Sequence, residues 1–189
     1  MADEETGEVR NEKLDPEAEA RRRLALAQIR QYPDPALRMR AREVEEFDAD
    51  LGGLVERLKH LLKDANGLGL AATQIGVLRR VFAFLPEIEQ EPVIVVNPSF
   101  AATSDERESD TEGCLSLQGV RVPIERPTKI VLTGRDTDGA EVRYELEGYG
   151  ARIAQHELDH LNGMLIIDRT DDEHRKEALG TLRPRISLR

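Results

Sequence analysis

Leu51, Leu54, Val55, Leu58, Leu61 and Leu62 recur at i, i+3, i+4, i+7, i+10 and i+11. That is the stripe of an α-helix laying one face on a core. Asp48 or Asp50 is placed to cap its start, and Asn66-Gly67 to end it. Other windows follow different patterns. The runs "RRVFAFL" and "PVIVVNPSF" are rich in Val, Ile and Phe and bounded by turn residues, which predicts short strands. "KIVLTGRDTDGAEVRYELEG" predicts a hairpin with Asp138-Gly139 at its turn. Near the start, Asp15 as cap and Pro16 at the first turn predict a helix through "EAEARRRLALAQIRQ" that stops before Pro33. "YPDPALR" is extended or turn-like because of its two prolines. A helix carrying His156 ends near Gly163, and a charged helix follows from Asp171. Strands precede this key helix without regular βαβ alternation or internal repeat, so the expected class is α+β.

Composition narrows the function classes. With 39% hydrophobic and 34% charged residues in 189, the chain has enough material for one globular domain. Aromatics are 4% and Trp is absent, so aliphatic side chains must carry the packing. A net charge of −10 argues against broad affinity for nucleic acid or anionic lipid. No apolar run approaches the roughly 20 residues of a membrane span. The polar, acidic first 13 residues read as a disordered arm rather than a signal or transit peptide. One cysteine, Cys114, excludes an intramolecular disulfide and makes the cytoplasm the default compartment.

The candidate chemistry begins in "QHELDHLNG", residues 155–163. His156 and His160 are four apart, so on a helix they share a face and can point at one atom. Ile153, Glu157 and Met164 lie on or beside that face, with Ala154 and Leu161 flanking it. Inward-facing imidazoles and a carboxylate are costly to desolvate alone, and a metal ion removes the difficulty. "EGCLSL" supplies a third ligand, since two imidazoles and the Cys114 thiolate suit zinc or ferrous iron and leave a fourth position open for catalysis. Without a metal, Cys114 would be a small buried hydrophobe. In "GLGLAATQIG", residues 67–76, glycines permit close backbone approach and Gln74 offers an amide donor; the plainer reading is a loop leading into a tight strand. His60 beside the leucine stripe reads as a surface or core-edge residue.

Three segments in this order, "GLGLAATQ", "EGCLS" and "QHELDH", resemble peptide deformylase, as do "PDPALR" and "RPTKI". The likeness covers roughly residues 30–170, and divides the chain into an arm with a helix (1–28), a catalytic domain (29–170) and a basic tail (171–189). It implies small antiparallel β-sheets packed around a central metal-binding helix carrying His-Glu-x-x-His. It implies a monomeric cytoplasmic enzyme, not attached to membranes, that removes the formyl group from N-formylmethionyl peptides. Cys114, His156 and His160 would hold the metal, with Fe²⁺ expected in the cell and Zn²⁺, Ni²⁺ or Co²⁺ also suited to the ligands. Glu157 would be general base and acid, with the Gln74 side chain and the Leu115 N–H as oxyanion donors. The methionine side chain would lie against Leu68, Gly69, Leu115, Ile153 and His156. This chain departs from the pattern at Gln118, where many members have proline, and at Arg152, where some have an aliphatic residue that bears on the side-chain pocket. Its N-terminal arm is also longer than the family leads one to expect.

Two other readings compete. A His-Glu-x-x-His zinc endopeptidase would need a third ligand downstream, for which Glu173 and His174 are the near candidates. A structural metal module would waste Glu157 and the open position. Separately, residues 174–189 hold Arg175, Lys176, Arg183, Arg185 and Arg189 against one acid, Glu177. This reversal of charge is compatible with a solvated end or with docking to the ribosome, a use that some family members resemble.

Overall fold

The computed structural model describes residues 14–87 and 90–183; the arm at 1–13 and the end of the tail lie outside the described residues. The class is α+β, as expected. In chain order the regular elements begin with α1 (Pro16–Leu26), α2 (Ala49–Asp64), β1 (Gly69–Ala71), β2 (Val81–Phe84) and β3 (Val93–Thr103). They continue with β4 (Arg107–Gly113), β5 (Arg121–Pro127), β6 (Lys129–Arg135), β7 (Glu141–Glu147), α3 (Gly148–Leu161) and α4 (Asp172–Leu182). Five strands form an antiparallel sheet in the order β1-β2-β3-β6-β7, and β4 and β5 form a separate two-stranded ribbon.

Local chemistry explains where the elements begin and end. Asp48, not Asp50, caps α2 by accepting from the Leu51 amide at 2.9 Å. The helix stops where Asn66 turns to φ 52° and the Gly67 amide reaches back to the Leu62 carbonyl. In the β6–β7 turn Asp136 accepts from the amides of Asp138 and Ala140, and Gly139 takes φ 86°, a value that favours glycine. All six apolar residues of the predicted stripe in α2 are buried.

The core explains why β2 reads as an unbroken apolar run. Val81 and Ala83 face the cluster built on α2, while Phe82 and Phe84 face the cluster that contains Ala151, Ile153, Ala154 and Leu161 of α3. A strand covered by helices on both faces has no polar side to display. A third cluster joins Cys114, Leu117, Val122 and Ile124 to Leu165–Ile167 and to Ala178 of α4.

Several predicted elements differ. Helix α1 ends at Leu26 instead of continuing to Gln31, because Ile29 turns inward to the core and Gln31 reaches the Leu115 carbonyl. Residues 67–76 hold the strand β1 first and a 3₁₀ turn (Ala72–Ile75) second. Within "YPDPALR", Asp34 caps a 3₁₀ turn at Pro35–Arg38. Met164 lies beyond the end of α3.

Candidate metal centre

Helix α3 places His156 and His160 one turn apart with ring centroids 5.0 Å from each other. The chain leaves β4 at Gly113 and immediately presents Cys114, whose Sγ lies 3.3 Å from His160 Nε2. One ligand atom from each of Cys114, His156 and His160 lies within 4.8 Å of the other two, and all three residues are buried. Tetrahedral sites with Zn–S near 2.3 Å and Zn–N near 2.1 Å separate their ligand atoms by about 3.5 Å. A buried thiol and two imidazoles converging at this spacing therefore fit a divalent metal of borderline softness. The Ser116 amide is 3.4 Å from Cys114 Sγ and donates toward it, which favours a thiolate.

Behind His156 stands Glu112, fully buried, which accepts from His156 Nδ1 at 2.9 Å. A proton on Nδ1 leaves the Nε2 lone pair to a metal and fixes the ring orientation. Glu112 in turn accepts from Arg126 Nε at 2.5 Å, Arg126 Nη2 at 2.9 Å and Arg152 Nη1 at 2.9 Å. Arg126 continues to Asp159 at 2.9 Å, where Arg169 also donates twice. Burial alone would push the Glu112 carboxyl up. Hydrogen bonds and charge from Arg126, and then from His156, outweigh burial and hold it well below the usual carboxylate range. Burial also opposes Asp159, and Arg169 and Arg126 together bring it below its ordinary value. Arg126, despite its burial, is held above the ordinary arginine value by Glu112 and Asp159.

Glu157 is fully buried on α3 and packs against β1 at Gly69. A Cβ on Gly69 would overlap the Glu157 carboxylate and sit 2.9 Å from Ile153 Cγ2, so only glycine admits this approach. Gln74 is buried with its amide fixed. Its Oε1 accepts from the Ala71 amide at 2.7 Å, and its Nε2 faces Ser116 Oγ at 3.2 Å and Cys114 Sγ at 3.9 Å. The Thr73 hydroxyl donates to the His160 carbonyl at 3.2 Å. A cavity of about 300 Å³ opens beside Cys114 and Leu115.

The structure thus gathers Cys114, His156, His160, Glu157, Gln74 and Gly69 into one buried centre. Leu68 and Ile153 share the α3-side cluster, whereas Leu115 packs into the α2-side cluster next to Cys114. His60 is mostly exposed and pairs with Asp64 on its own helix at 3.3 Å. His174 pairs with Asp171 at the start of α4. Arg152, four residues before His156, does not stand alone at a side-chain pocket; besides Glu112 it donates to the Ile124 and Glu108 carbonyls at 2.9 Å. Sequence reasoning missed Glu112, Arg126 and Asp159 as parts of the site. Glu112 lies inside the quoted "EGCLSL" and Asp159 between the two histidines, but neither spacing announces a partner.

Comparison with known proteins covers the region that holds this centre. Residues 26–176 match the family model described as polypeptide deformylase. The chain is 40% identical over 148 residues to a peptide deformylase of Dictyoglomus thermophilum, covering 78% of this chain and 95% of that protein. It is 45% identical over 141 residues to one from Thermotoga maritima, covering 75% and 85%. The crystal structure of Thermotoga maritima peptide deformylase superposes with a TM-score of 0.73 at 44% identity, covering 76% of this chain and 96% of that one. A peptide deformylase from Synechococcus elongatus in complex with actinonin gives a TM-score of 0.76 at 33% identity, covering 82% and 91%.

Proposed function

The chain belongs to the polypeptide deformylase family, and from that premise we propose how its buried centre performs the family's reaction. It is a metal-dependent hydrolase that removes the N-formyl group from the initiator methionine of new polypeptides and releases formate. The assignment of roles to individual residues rests on one observation above the rest: the convergence of Cys114, His156 and His160 with Glu157 buried beside them.

A divalent ion held by Cys114 Sγ and by an imidazole nitrogen of each of His156 and His160 would act as a Lewis acid, acidifying water and polarising the formyl oxygen. Glu157 takes a proton from the attacking water and passes it to the nitrogen of the breaking amide. The water oxygen stays with the formyl carbon, which departs as formate, and the methionine amine is freed. Gln74 Nε2 and the Leu115 N–H donate to the carbonyl oxygen as it gathers charge. For Gln74 this is supported by an amide whose oxygen is engaged by Ala71 and whose nitrogen is turned toward Cys114. The methionine side chain lies against Leu68, Gly69, Leu115, Ile153 and His156. The Glu112 hydrogen bond supports Nδ1 protonation of His156.

The thiolate and imidazoles suit Fe²⁺ as the ion in the cell, and accept Zn²⁺, Ni²⁺ or Co²⁺. No helix among the described residues is long and apolar enough to cross a membrane. We assign the enzyme to the cytoplasm as a monomer, with residues 29–170 as the catalytic unit between the arm at 1–28 and the tail at 171–189. An endopeptidase reading is not favoured: Glu173 is exposed, His174 is paired within α4's first turn, and Cys114 supplies the third donor. The test is metal analysis of freshly purified protein coupled to formate release from formyl-Met-Ala-Ser. One equivalent of metal and formate release lost on chelation and restored by Fe²⁺ is the expected outcome. Stoichiometric metal without formate release would overturn the reading.

A further inference from the structure

Helix α1 lies before the matched family region except for its last residue, yet it borders the catalytic centre. It is anchored by Ala25 and Leu26, both buried in the α2-side cluster. Arg22, half-buried on the same helix, donates from Nε to the Ala65 carbonyl at 3.1 Å, at the C-terminal cap of α2. That bond holds the guanidinium in place. Among the described residues Arg22 makes no ion pair, unlike its neighbour Arg21, which pairs with Glu17. The cavity beside Cys114 is lined by both Arg22 and Arg121 of β5, and no carboxylate among the described residues lines it. A second cavity of about 660 Å³ shares Arg22 and Gln118 with the first and continues along α1, where Glu19 and Arg23 also line it, past Gln31.

Arg22 places positive charge beside Cys114 in a chain whose net charge is −10. Such a chain repels acidic peptides at long range, and a cationic side chain beside Cys114 offsets that repulsion locally. With Nε engaged by Ala65, the two Nη groups of Arg22 retain the end-on edge that grips a carboxylate with two hydrogen bonds. We propose that Arg22, which lines this cavity together with Arg121, reads an aspartate or glutamate side chain one to three residues after the formyl-methionine of the substrate. The inference rests on the placement of the reacting centre beside Cys114, and makes the additional helix α1 a specificity element of the cleft. The added helix therefore widens the enzyme's range toward nascent chains with acidic starts.

The experiment uses the full chain with Fe²⁺ and C-terminally amidated formyl-Met peptides, so that no terminal carboxylate competes. Glu is compared with Gln at the second, third and fourth positions. At the best position the kcat/KM ratio of Glu over Gln should be about threefold to fivefold above 1, carried by KM, as for a single partly exposed ion pair. The ratio should shrink as salt is raised to about 0.5 M, through screening. Arg22→Gln should bring it to 1 and Arg22→Glu should invert it, while Arg22→Lys should keep part of it. Arg121→Gln, on another element, should lower the ratio independently should α1 detach in the Arg22 variants. Equal Glu-to-Gln ratios in the parent and in all these variants, with turnover intact, would overturn the proposal alone. Loss of turnover on the Gln peptides in the parent would overturn the reading of the centre on which it rests.

Discussion

Helices α3 and α4 are neighbours in the chain, and both are rich in charge, but they use it in opposite ways. In α3, Arg152, Gln155, His156, Glu157, Asp159 and His160 are all buried. Arg152 meets Glu112, Asp159 meets Arg126 and Arg169, and His156 meets Glu112. In α4 the one buried residue is Ala178, while Arg175 and Lys176 face water. A charge taken out of water needs a partner and is fixed by it, whereas an exposed charge is nearly indifferent to its neighbours. The contrast shows that density of charge does not mark a functional helix. Burial of charge among named partners does, and substitutions on the two helices should therefore differ in kind.

The largest effect is expected at Glu157. Glu157→Gln keeps the size of the side chain and removes the base, so metal content should be retained while formate release falls by about 10²-fold or more. Near-normal turnover in the fully metallated variant would move the proton-transfer role elsewhere and blur the distinction of α3. Next comes Glu112→Gln, which touches no substrate. It weakens the grip on His156 Nδ1 and leaves Arg126 and Arg152 facing a neutral partner, so metal affinity should fall by about 10-fold to 100-fold. A competition titration with a chelator reads that change without reference to activity. Affinity equal to the parent's would mean that the ring is held by α3 packing alone.

Acid should separate the same two regions. Glu112 and Asp159 are held below their ordinary values in the fold. A carboxylate with a depressed folded value contributes stability that is complete above its unfolded value and is lost as pH falls through the folded one. Melting temperature should therefore hold from neutral pH to the ordinary carboxylate range and decline below it. Glu112→Gln should flatten part of that decline, and an Arg175→Ala, Lys176→Ala double variant should leave it unchanged. A parent whose melting temperature is already falling well above the ordinary carboxylate range would place the acid-sensitive groups outside this network.

The same contrast governs what the sequence discloses. Helix α2 was legible because every position of its stripe is apolar and buried. The candidate ligands were legible because the histidine pair and Glu157 lie within five residues of one helix. The ribbon β4–β5 was not, because "RESDTEG" is largely exposed and has no apolar alternation; it is held by pairing with β5 rather than by a core of its own. In β5, Val122, Ile124 and Arg126 point inward at alternate positions, and the arginine breaks an apolar pattern by taking a core position. Glu112, Arg126 and Asp159 each look like surface charge in sequence, since their partners are 10 to 44 residues away. Strand β1 was obscured by its own glycine, which serves the contact with Glu157.

The smallest expected effects belong to α4 and the tail beyond it, whose last residues lie outside the described structure. Cutting the chain after Asp172 would not isolate the charge of this region. It would strip Ala178, Leu179 and Leu182 from the cluster that contains Cys114, and so disturb the centre through packing. Replacing exposed charges keeps that packing. Arg175→Ala with Lys176→Ala should leave turnover of formyl-Met-Ala-Ser within about twofold, as surface substitutions generally do. If the tail docks on ribosomal RNA, the double variant should co-sediment less with ribosomes at low salt. Its binding should also fall less steeply as salt rises, since each lost phosphate contact removes roughly one unit of slope. Identical co-sedimentation at both low and moderate salt would make α4 a solvated cover for the Cys114 cluster. The difference between the two helices would then be one of partner and no partner, with the charge on α4 serving solubility alone.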